Sequence, residues 1–369
     1  MPTGMGFTTN NAHRIYISTA GLVVAVFSIA GAVLLNSSRA DTPSVTAETE
    51  SGNISAPAET ISDTEASNQA GVKFSQPSTT AVANATTPCI GAAPPAAWNH
   101  VVVLMFENTF NNEITSGAAP WIHGMQQKCG SYATWKDADS TVTGAVETDY
   151  PSKPQYATLT SGVSPSVHGL KTNAYTTTSS VDNIFNRLRQ DKRTTKVYVA
   201  GTGSNCQASN FNGAYHDPLR YFTNLGGQSS TNSTFCNTND VPITDFTTDV
   251  NSGNLPEFSM IIPTNAQNMH DNTVSSGDSW ARDFLVPLLD SEQYKSGDTA
   301  VFFLWDEYTS VPNVLISPSI KPGTNPVTPA GNPISHFSAT RTWQEMLGIT
   351  PLLGVSGQAP SLLDYYEGT

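Results

Sequence analysis

Two adjacent carboxylates, Asp306 and Glu307, come directly after the apolar residues 300–305. Such an apolar run predicts a buried strand, which would deliver both acids to one edge of a sheet. Other polar groups follow similar runs or a proline-rich turn, and they are Glu107, Asn108, Ser152, His270 and Asp271. Oxygen ligands, a hydroxyl and imidazoles are together the groups of a metal-assisted ester hydrolase with a covalent intermediate.

The elements that must position these groups read as an α/β domain. Apolar runs predict buried strands, and they are His100–Phe106, Lys196–Ala200, Phe258–Ile262 and Ala300–Leu304. Helical stretches separate them, which is typical of a mostly parallel central sheet with helices on both faces. Because parallel sheets place ligand sites beyond the carboxyl ends of their strands, the polar clusters stand where a site is expected.

Composition divides the 369 residues into three segments. Residues 1–40 contain an uncharged stretch from Ile15 to Leu35, long enough to span a bilayer, and Ser38-Arg39-Ala40 resembles a cleavage site. The stretch is therefore either a signal peptide or an N-terminal anchor, and both place the rest of the chain outside the cytoplasm. Residues 41–87 are rich in Ser, Thr, Ala and acids and predict a disordered linker. Residues 88–369 form the predicted catalytic domain.

The four cysteines predict disulfide bonds. An even number in an exported chain favours two bridges. Cys89 with Cys129 would fasten the start of the domain, and Cys206 with Cys236 would close an excursion, although the other two pairings remain possible. The protein is accordingly expected to be secreted or held at the cell surface.

The formal net charge of −13 restricts the partners. An acidic surface does not attract nucleic acid or an anionic bilayer, so membrane contact is expected only through the N-terminal segment. An anionic substrate would need a local cation beside it.

Several motifs together resemble a known family of phosphoesterases. They are Phe106–Phe110, Pro151–Gly162, Pro263–Asp271, Trp305–Glu307 and His336–Gly348, in the family's order across about residues 98–355. The chain in these segments is similar to the phosphoesterase family of bacterial acid phosphatases and phospholipases C, within the alkaline phosphatase superfamily. The resemblance implies an alkaline-phosphatase-like fold.

The resemblance also implies roles for individual residues. Ser152 would be the nucleophile, and one divalent cation would be held by Glu107, Asn108, Ser152, Asp306 and Glu307. Asn173 would donate to a phosphoryl oxygen. A histidine, His270 or His336, would protonate the leaving oxygen; alternatively His270, Asp271 and His336 would hold a second cation. Asp271 and His168 are expected either to support the site from outside or to bind that second cation, and His216 carries a weak expectation of lying near the pocket.

One cation is expected rather than two. Two-metal relatives take two ligands from an Asp-x-x-x-His loop, whereas the residue four positions after Asp271 is Ser275. The expected enzyme hydrolyses phosphomonoesters of small molecules through a phosphoseryl intermediate. A phospholipase C or other phosphodiesterase is the first alternative, with a phospholipid substrate, and a catalytically inactive surface binding module is the second.

Overall fold

The structure, a computed structural model, describes residues 81–366 except 139, 143–148, 208–213, 227–233, 309 and 323–332, and the backbone of residues 58–62 and 70–74. The chain divides into two compact units, Met1–Thr80 and Ala81–Thr369. In the first unit, strands β1 (Ala58–Ser62) and β2 (Ala70–Phe74) pair antiparallel. These two strands lie within the range that the sequence predicts as a disordered linker.

The second unit begins at Ala81, seven residues before the predicted start of the domain. Ala83 is buried, and the Ala85 N–H donates to the Asp290 carboxylate at 2.9 Å. Residues 81–87 therefore pack as part of this unit. The predicted membrane segment, Ile15 to Leu35, lies outside the described residues. Within the part of the chain that is described, no helix has the length and apolar character needed to cross a bilayer.

A six-stranded sheet forms the centre of the second unit, in the order β5-β4-β6-β3-β7-β8. Its strands are β3 (His100–Phe106), β4 (Thr195–Val199), β5 (Asp240–Pro242), β6 (Phe258–Ile262), β7 (Thr299–Trp305) and β8 (Asn313–Ile316). All neighbouring strands are parallel except β7 and β8. The mostly parallel sheet that the apolar runs predict is confirmed, and β5 and the antiparallel edge strand β8 are additions to it.

The helices of this unit are α1 (Pro120–Lys128), α2 (Ser152–Ser161), α3 (Pro165–His168), α4 (Ile184–Gln190), α5 (Thr234–Asn239), α6 (Thr244–Ser252), α7 (Val274–Leu289), α8 (Glu292–Lys295), α9 (His336–Met346) and α10 (Leu363–Tyr366). Short 3₁₀ turns occupy Asn111–Glu113, Ala214–His216, Pro218–Arg220, Thr223–Leu225 and Ser356–Gln358.

Helices cover both faces of the sheet, as predicted. Phe302 and Phe303 are neighbours on β7, so their side chains point to opposite faces. The ring of Phe302 lies 5.8 Å from that of Trp343 on α9. The ring of Phe303 packs 4.8 Å from that of Phe106, which in turn lies 5.8 Å from Trp280 on α7. Helices α9 and α7 therefore sandwich the sheet, which explains why β3, β6 and β7 are apolar along almost their whole length.

Two disulfide bonds join Cys89 to Cys129 and Cys206 to Cys236. This is the first of the pairings considered from the sequence. The first bridge ties the start of the unit to the residue that follows α1, and the second closes the segment between β4 and β5.

Each bridge is expected to stabilise the fold by a similar amount, because the two close loops of similar length, with separations of 40 and 30 residues. Replacing Cys89 and Cys129 together by Ala should lower the free energy of unfolding by about 2 to 4 kcal/mol, and so should the Cys206, Cys236 pair. Urea unfolding of both double variants measures this. An unfolding free energy equal to that of the parent protein would show that the bridge in question is not formed in solution.

Candidate active site

Neighbouring strands β3 and β7 bring two carboxylates together. Phe106 and Trp305 are paired across the parallel ladder, so the next residues, Glu107 and Asp306, leave the sheet side by side. Both side chains are completely buried. Glu307 follows Asp306 directly, and a third carboxylate thus joins the same edge of the sheet.

Helix α2 brings a hydroxyl to these acids. Ser152 is its first residue, after Pro151 at the cap position, and the Ser152 Oγ lies 3.1 Å from Glu107 Oε2 and 2.9 Å from Glu307 Oε1. A serine hydroxyl has one proton, so it donates to only one of these carboxylates at a time. The free N–H groups and positive end of a helix favour negative charge at this position. The predicted nucleophile and two predicted ligands are therefore in direct contact.

Asn173 is held beside the start of the same helix. Its Oδ1 accepts the backbone N–H of Lys153 at 2.9 Å, which leaves the Nδ2 hydrogens as its donors. The buried Lys153 Nζ donates to the Ala174 and Thr177 carbonyls at 2.7 and 2.6 Å, and burial lowers the pKa of this amine to about 8. Lys153 thus ties the segment after Asn173 to α2.

The charges of the three acids are strongly unfavourable to one another. Burial, and then the charges of Glu107 and Glu307, raise the pKa of Asp306 well above its ordinary value. Burial alone would raise the pKa of Glu107 too, but His216 and the hydroxyl of Tyr156 outweigh it and lower that pKa. The cluster therefore holds negative charge on Glu107 at the expense of Asp306.

His216 lies beside the buried acids, although the sequence offered only a weak signal for it. Its Nε2 lies 3.3 Å from Glu107 Oε1, and the Tyr156 hydroxyl donates to the same oxygen at 2.5 Å. His216 ends a 3₁₀ turn within the Gly- and Asn-rich segment between β4 and β5. The only available sign was its motif, Tyr215-His216-Asp217-Pro218, because a histidine in an irregular segment has no periodicity that predicts its partners.

The arrangement fits a divalent cation. Both carboxylate oxygens of Asp306 and the Oδ1 of Asn108 are buried, and none of the three accepts a hydrogen bond from the described residues. Buried oxygens of this kind are costly unless hydrogen-bonded or bound to a metal. Carboxylate, amide and hydroxyl oxygens are also the donors that hard divalent cations prefer.

His270 and Asp271 form a pair on the more exposed side of this region. The His270 Nδ1 lies 2.6 Å from Asp271 Oδ1, an arrangement that orients the ring and leaves Nε2 at its other edge. Tyr215 connects this pair to the buried acids electrostatically. Burial, and then the charges of Glu107 and Asp271, raise the pKa of Tyr215.

The contacts of His336 differ from those expected of a proton donor or a second-cation ligand. Its Nε2–H donates to the backbone carbonyl of Asp306 at 2.7 Å, and its Nδ1 accepts from Trp135 Nε1 at 3.1 Å. Burial lowers the pKa of His336 to about 4, so the ring is neutral near pH 7. With both nitrogens engaged inside the protein, His336 positions the Asp306 backbone.

His168 is likewise structural in its contacts. Its Nδ1 accepts the Leu170 N–H at 3.1 Å, and its Nε2 lies 3.2 Å from Thr158 Oγ1 on α2. Burial lowers the pKa of His168 to about 4. His168 therefore connects α2 to the turn after α3, and these contacts do not support the predicted second-cation role.

Comparison with known proteins decides the family. The sequence pattern of the Phosphoesterase family matches residues 146–334, just over half of the chain. The chain belongs to the phosphoesterase family. The match includes Ser152, Asn173, His216 and His270 together with Asp306 and Glu307, whereas Glu107 and Asn108 precede it. The protein is a hydrolase that acts on phosphoric esters.

Two curated phosphatases are similar to this phosphoesterase. A phosphatidylinositol-3-phosphatase of Mycobacterium tuberculosis (strain ATCC 25618 / H37Rv) is 25% identical over 76% of this chain and 87% of the relative. A probable acid phosphatase of Kluyveromyces lactis is 32% identical over 25% of this chain and 20% of the relative. Both names agree with phosphoester hydrolysis.

Solved structures with a related outline include a protein in the alkaline phosphatase superfamily from Vibrio parahaemolyticus. It is 13% identical, covers 78% of this chain and 74% of that chain, and has a TM-score of 0.46. A putative sulfatase from Bacteroides thetaiotaomicron is 12% identical over 73% and 75% of the two chains, with a TM-score of 0.49. Neither score is high enough to support a conclusion by itself.

The crowding of the acids predicts that Asp306→Asn is more stable than the parent without divalent cation and less stable than the parent with it. At pH 7.5 with a chelator, the variant should be more stable than the parent by about 1 to 4 kcal/mol, because it removes a carboxyl group whose ionisation is opposed in the folded state by burial and by two neighbouring acids. Saturating divalent cation should reverse the order, since binding to the parent at a thousand times its Kd adds about 4 kcal/mol.

The pH dependence of this difference follows from the sign of the shift. The pKa of Asp306 is raised in the folded state, so its ionisation destabilises the fold increasingly as pH rises above the ordinary value of 3.8. The advantage of Asp306→Asn in chelator should therefore shrink as pH falls toward 4. Thermal or urea unfolding across this range measures it, and a variant less stable than the parent in chelator would contradict the crowding of the acids.

Proposed function

We propose that this phosphoesterase is an extracytoplasmic, metal-dependent phosphomonoesterase that works through a phosphoseryl intermediate. The observation that carries the proposal is the contact of the Ser152 hydroxyl with Glu107 and Glu307, beside an Asp306 carboxylate whose buried oxygens accept no hydrogen bond from the described residues. A serine hydroxyl at the start of a helix, in contact with the proposed ligands of a cation, fits a nucleophile that this cation would activate.

The residues that would hold the cation are Glu107, Asn108, Ser152, Asp306 and Glu307. One divalent cation per chain is proposed. The ring nitrogens of His336 and His168 bond to other groups inside the protein, so the described residues offer no cluster of histidines for a second cation. Bound there, the cation would lower the pKa of the serine hydroxyl and neutralise developing charge on the phosphoryl group.

In the first step, Ser152 Oγ forms a bond to phosphorus as the ester P–O bond breaks. The hydroxyl proton passes to one of the two carboxylates that Ser152 contacts, and Glu307, at 2.9 Å, is the nearer. Asn173 Nδ2 donates to a phosphoryl oxygen. Its Oδ1 is anchored by the Lys153 N–H, so the amide is already oriented before substrate arrives.

His270 supplies the proton for the leaving oxygen. Asp271 holds its Nδ1, so the ring is oriented with Nε2–H as the donating group. Water then enters on the same side and His270 takes its proton. The phosphoseryl P–O bond breaks as the carboxylate that accepted the hydroxyl proton returns it to Ser152 Oγ, which releases phosphate and restores the serine. Two in-line displacements give retention of configuration at phosphorus.

The substrate class is supported by the named relatives. One is called a phosphatidylinositol-3-phosphatase and the other a probable acid phosphatase, and both names describe hydrolysis of a phosphomonoester. The proposed location outside the cytoplasm is supported by the two disulfide bonds, which persist in oxidising compartments.

Ser152→Ala tests the nucleophile. The variant should lose at least about a thousandfold in kcat, the scale on which a covalent nucleophile acts, and should unfold like the parent because it loses one oxygen at a helix start. Phosphate release from a chromogenic phosphomonoester, with and without chelator, measures it, and Thr160→Val on the same helix is the control. Turnover by Ser152→Ala within tenfold of the parent would remove Ser152 from the mechanism.

His270→Asn tests the proton donor through the leaving group. Esters of alcohols with a high pKa need protonation of the leaving oxygen, whereas nitrophenyl esters need little. The variant should therefore lose about 10²- to 10⁴-fold in kcat/KM with an alkyl phosphate and much less with nitrophenyl phosphate. Equal losses with both substrates would assign His270 to binding rather than to proton transfer.

A further inference from the structure

Two aromatic rings lie on the loops that follow strands β3 and β7. Phe110 comes three residues after Glu107, and Tyr308 comes directly after Glu307. Their ring centroids lie 4.0 Å apart with an angle of 16°, so the two rings are stacked. Phe110 nevertheless remains 44% exposed, although phenylalanine side chains are usually buried.

The backbone holds this pair in place. The Asn111 N–H donates to the Ser310 carbonyl at 3.0 Å and joins the two loops. The Phe110 N–H donates to Glu113 Oε2 at 2.7 Å. Tyr308 has a φ of 91°, a conformation that bulky residues rarely adopt. Strain of this kind persists where the surrounding structure imposes it, and it is concentrated at functional sites.

The stacked pair lies close to the reacting groups. Tyr308 follows Glu307 directly in the chain, and Glu307 Oε1 lies 2.9 Å from the Ser152 Oγ. A phosphoryl group bound at Ser152 would therefore have its ester oxygen, and the group beyond it, within reach of these rings.

We propose that Phe110 and Tyr308 form an aromatic platform that stacks on the leaving group of the substrate, and that this enzyme prefers aryl phosphomonoesters such as tyrosine phosphate. The proposal rests on the phosphomonoesterase function proposed above. A flat ring matches the exposed face of Phe110 better than a flexible polar alcohol does. An anionic lipid surface fits less well, because the chain carries a net charge of −13.

The test compares kcat/KM for phenyl phosphate and glycerol phosphate in the parent, Phe110→Ala, Phe110→Leu and Phe110→Tyr. The aryl-to-alkyl ratio should fall about 3- to 10-fold in the Ala variant and partly in the Leu variant, and Phe110→Tyr should keep it, since stacking needs a ring rather than apolar volume. Intrinsic leaving-group reactivity cancels when each ratio is divided by that of the parent. An unchanged ratio in Phe110→Ala would overturn the proposal.

Val82→Ala is the matched control. Val82 is also an exposed apolar side chain, 58% accessible, and its segment is bonded to Asp290 at the end of α7, away from the carboxyl ends of the strands. Its ratio should equal that of the parent. A ratio lowered as much as in Phe110→Ala would mean that the effect is not local to the platform.

Binding without turnover separates this proposal from the proposed function. Calorimetry should show that the parent binds phenylphosphonate about 3- to 10-fold more tightly than methylphosphonate, and that Phe110→Ala loses this preference. If the parent hydrolysed neither ester, the phosphomonoesterase proposal would fail. The phosphonate affinities would still show whether the platform favours an aryl group. If Phe110→Ala lost activity on phosphoinositide vesicles but hydrolysed phenyl phosphate like the parent, the platform would bind lipid and the aryl preference would be refuted.

Discussion

The crowding of three carboxylates, two of them completely buried, at the ends of two neighbouring strands is the constraint on which this site depends. Parallel pairing of Phe106 with Trp305 makes Glu107 and Asp306 emerge side by side, and Glu307 follows Asp306 directly in the chain. The sheet core is apolar on both faces, so the acids have no bulk water to screen their charges. Two groups offset part of the repulsion, the Tyr156 hydroxyl and His216, and both act on Glu107. The buried oxygens of Asp306 accept no hydrogen bond from the described residues, and the proposed cation would offset their charge.

The surrounding structure repeatedly serves to hold this unfavourable arrangement. Helix α2 is buried along its whole length, which is possible because its polar residues bond inward, as Tyr156 does to Glu107. His336 donates a hydrogen bond to the backbone carbonyl of Asp306. The residues that follow Glu107 and Glu307, which are Asn108 and Tyr308, both have positive φ. The second disulfide closes the segment that carries His216, and the Arg220 Nη1 donates to the Cys206 carbonyl at 3.0 Å within it. Sheet, buried helix and cross-linked loop thus converge on the same few oxygens.

Sequence patterns predicted the parts of this structure that follow from burial. Runs such as 258–262 and 299–305 are apolar because the strands are covered on both faces, so strand positions, parallel topology and the convergence of Glu107, Ser152 and Asp306 could all be anticipated. The segment between β4 and β6 could not. Its helices α5 and α6 are short, and β5 has three residues, so neither periodicity extends far enough to be recognised. The same holds for β1 and β2, five residues each in a stretch of polar composition.

The histidines show where inference from residue type ends. All of them have the same chemistry in the sequence, yet their surroundings separate them into different roles. In His336 and His168, both ring nitrogens contact groups inside the protein. Burial lowers the pKa of each ring to about 4, so both are neutral near pH 7. Among the described residues, one ring nitrogen of His270 has a partner, Asp271. His216 contacts Glu107 from an irregular segment that has no periodicity to predict its path. A motif therefore predicts which imidazoles gather near the site, whereas the hydrogen bond on each second nitrogen decides which of them can move a proton.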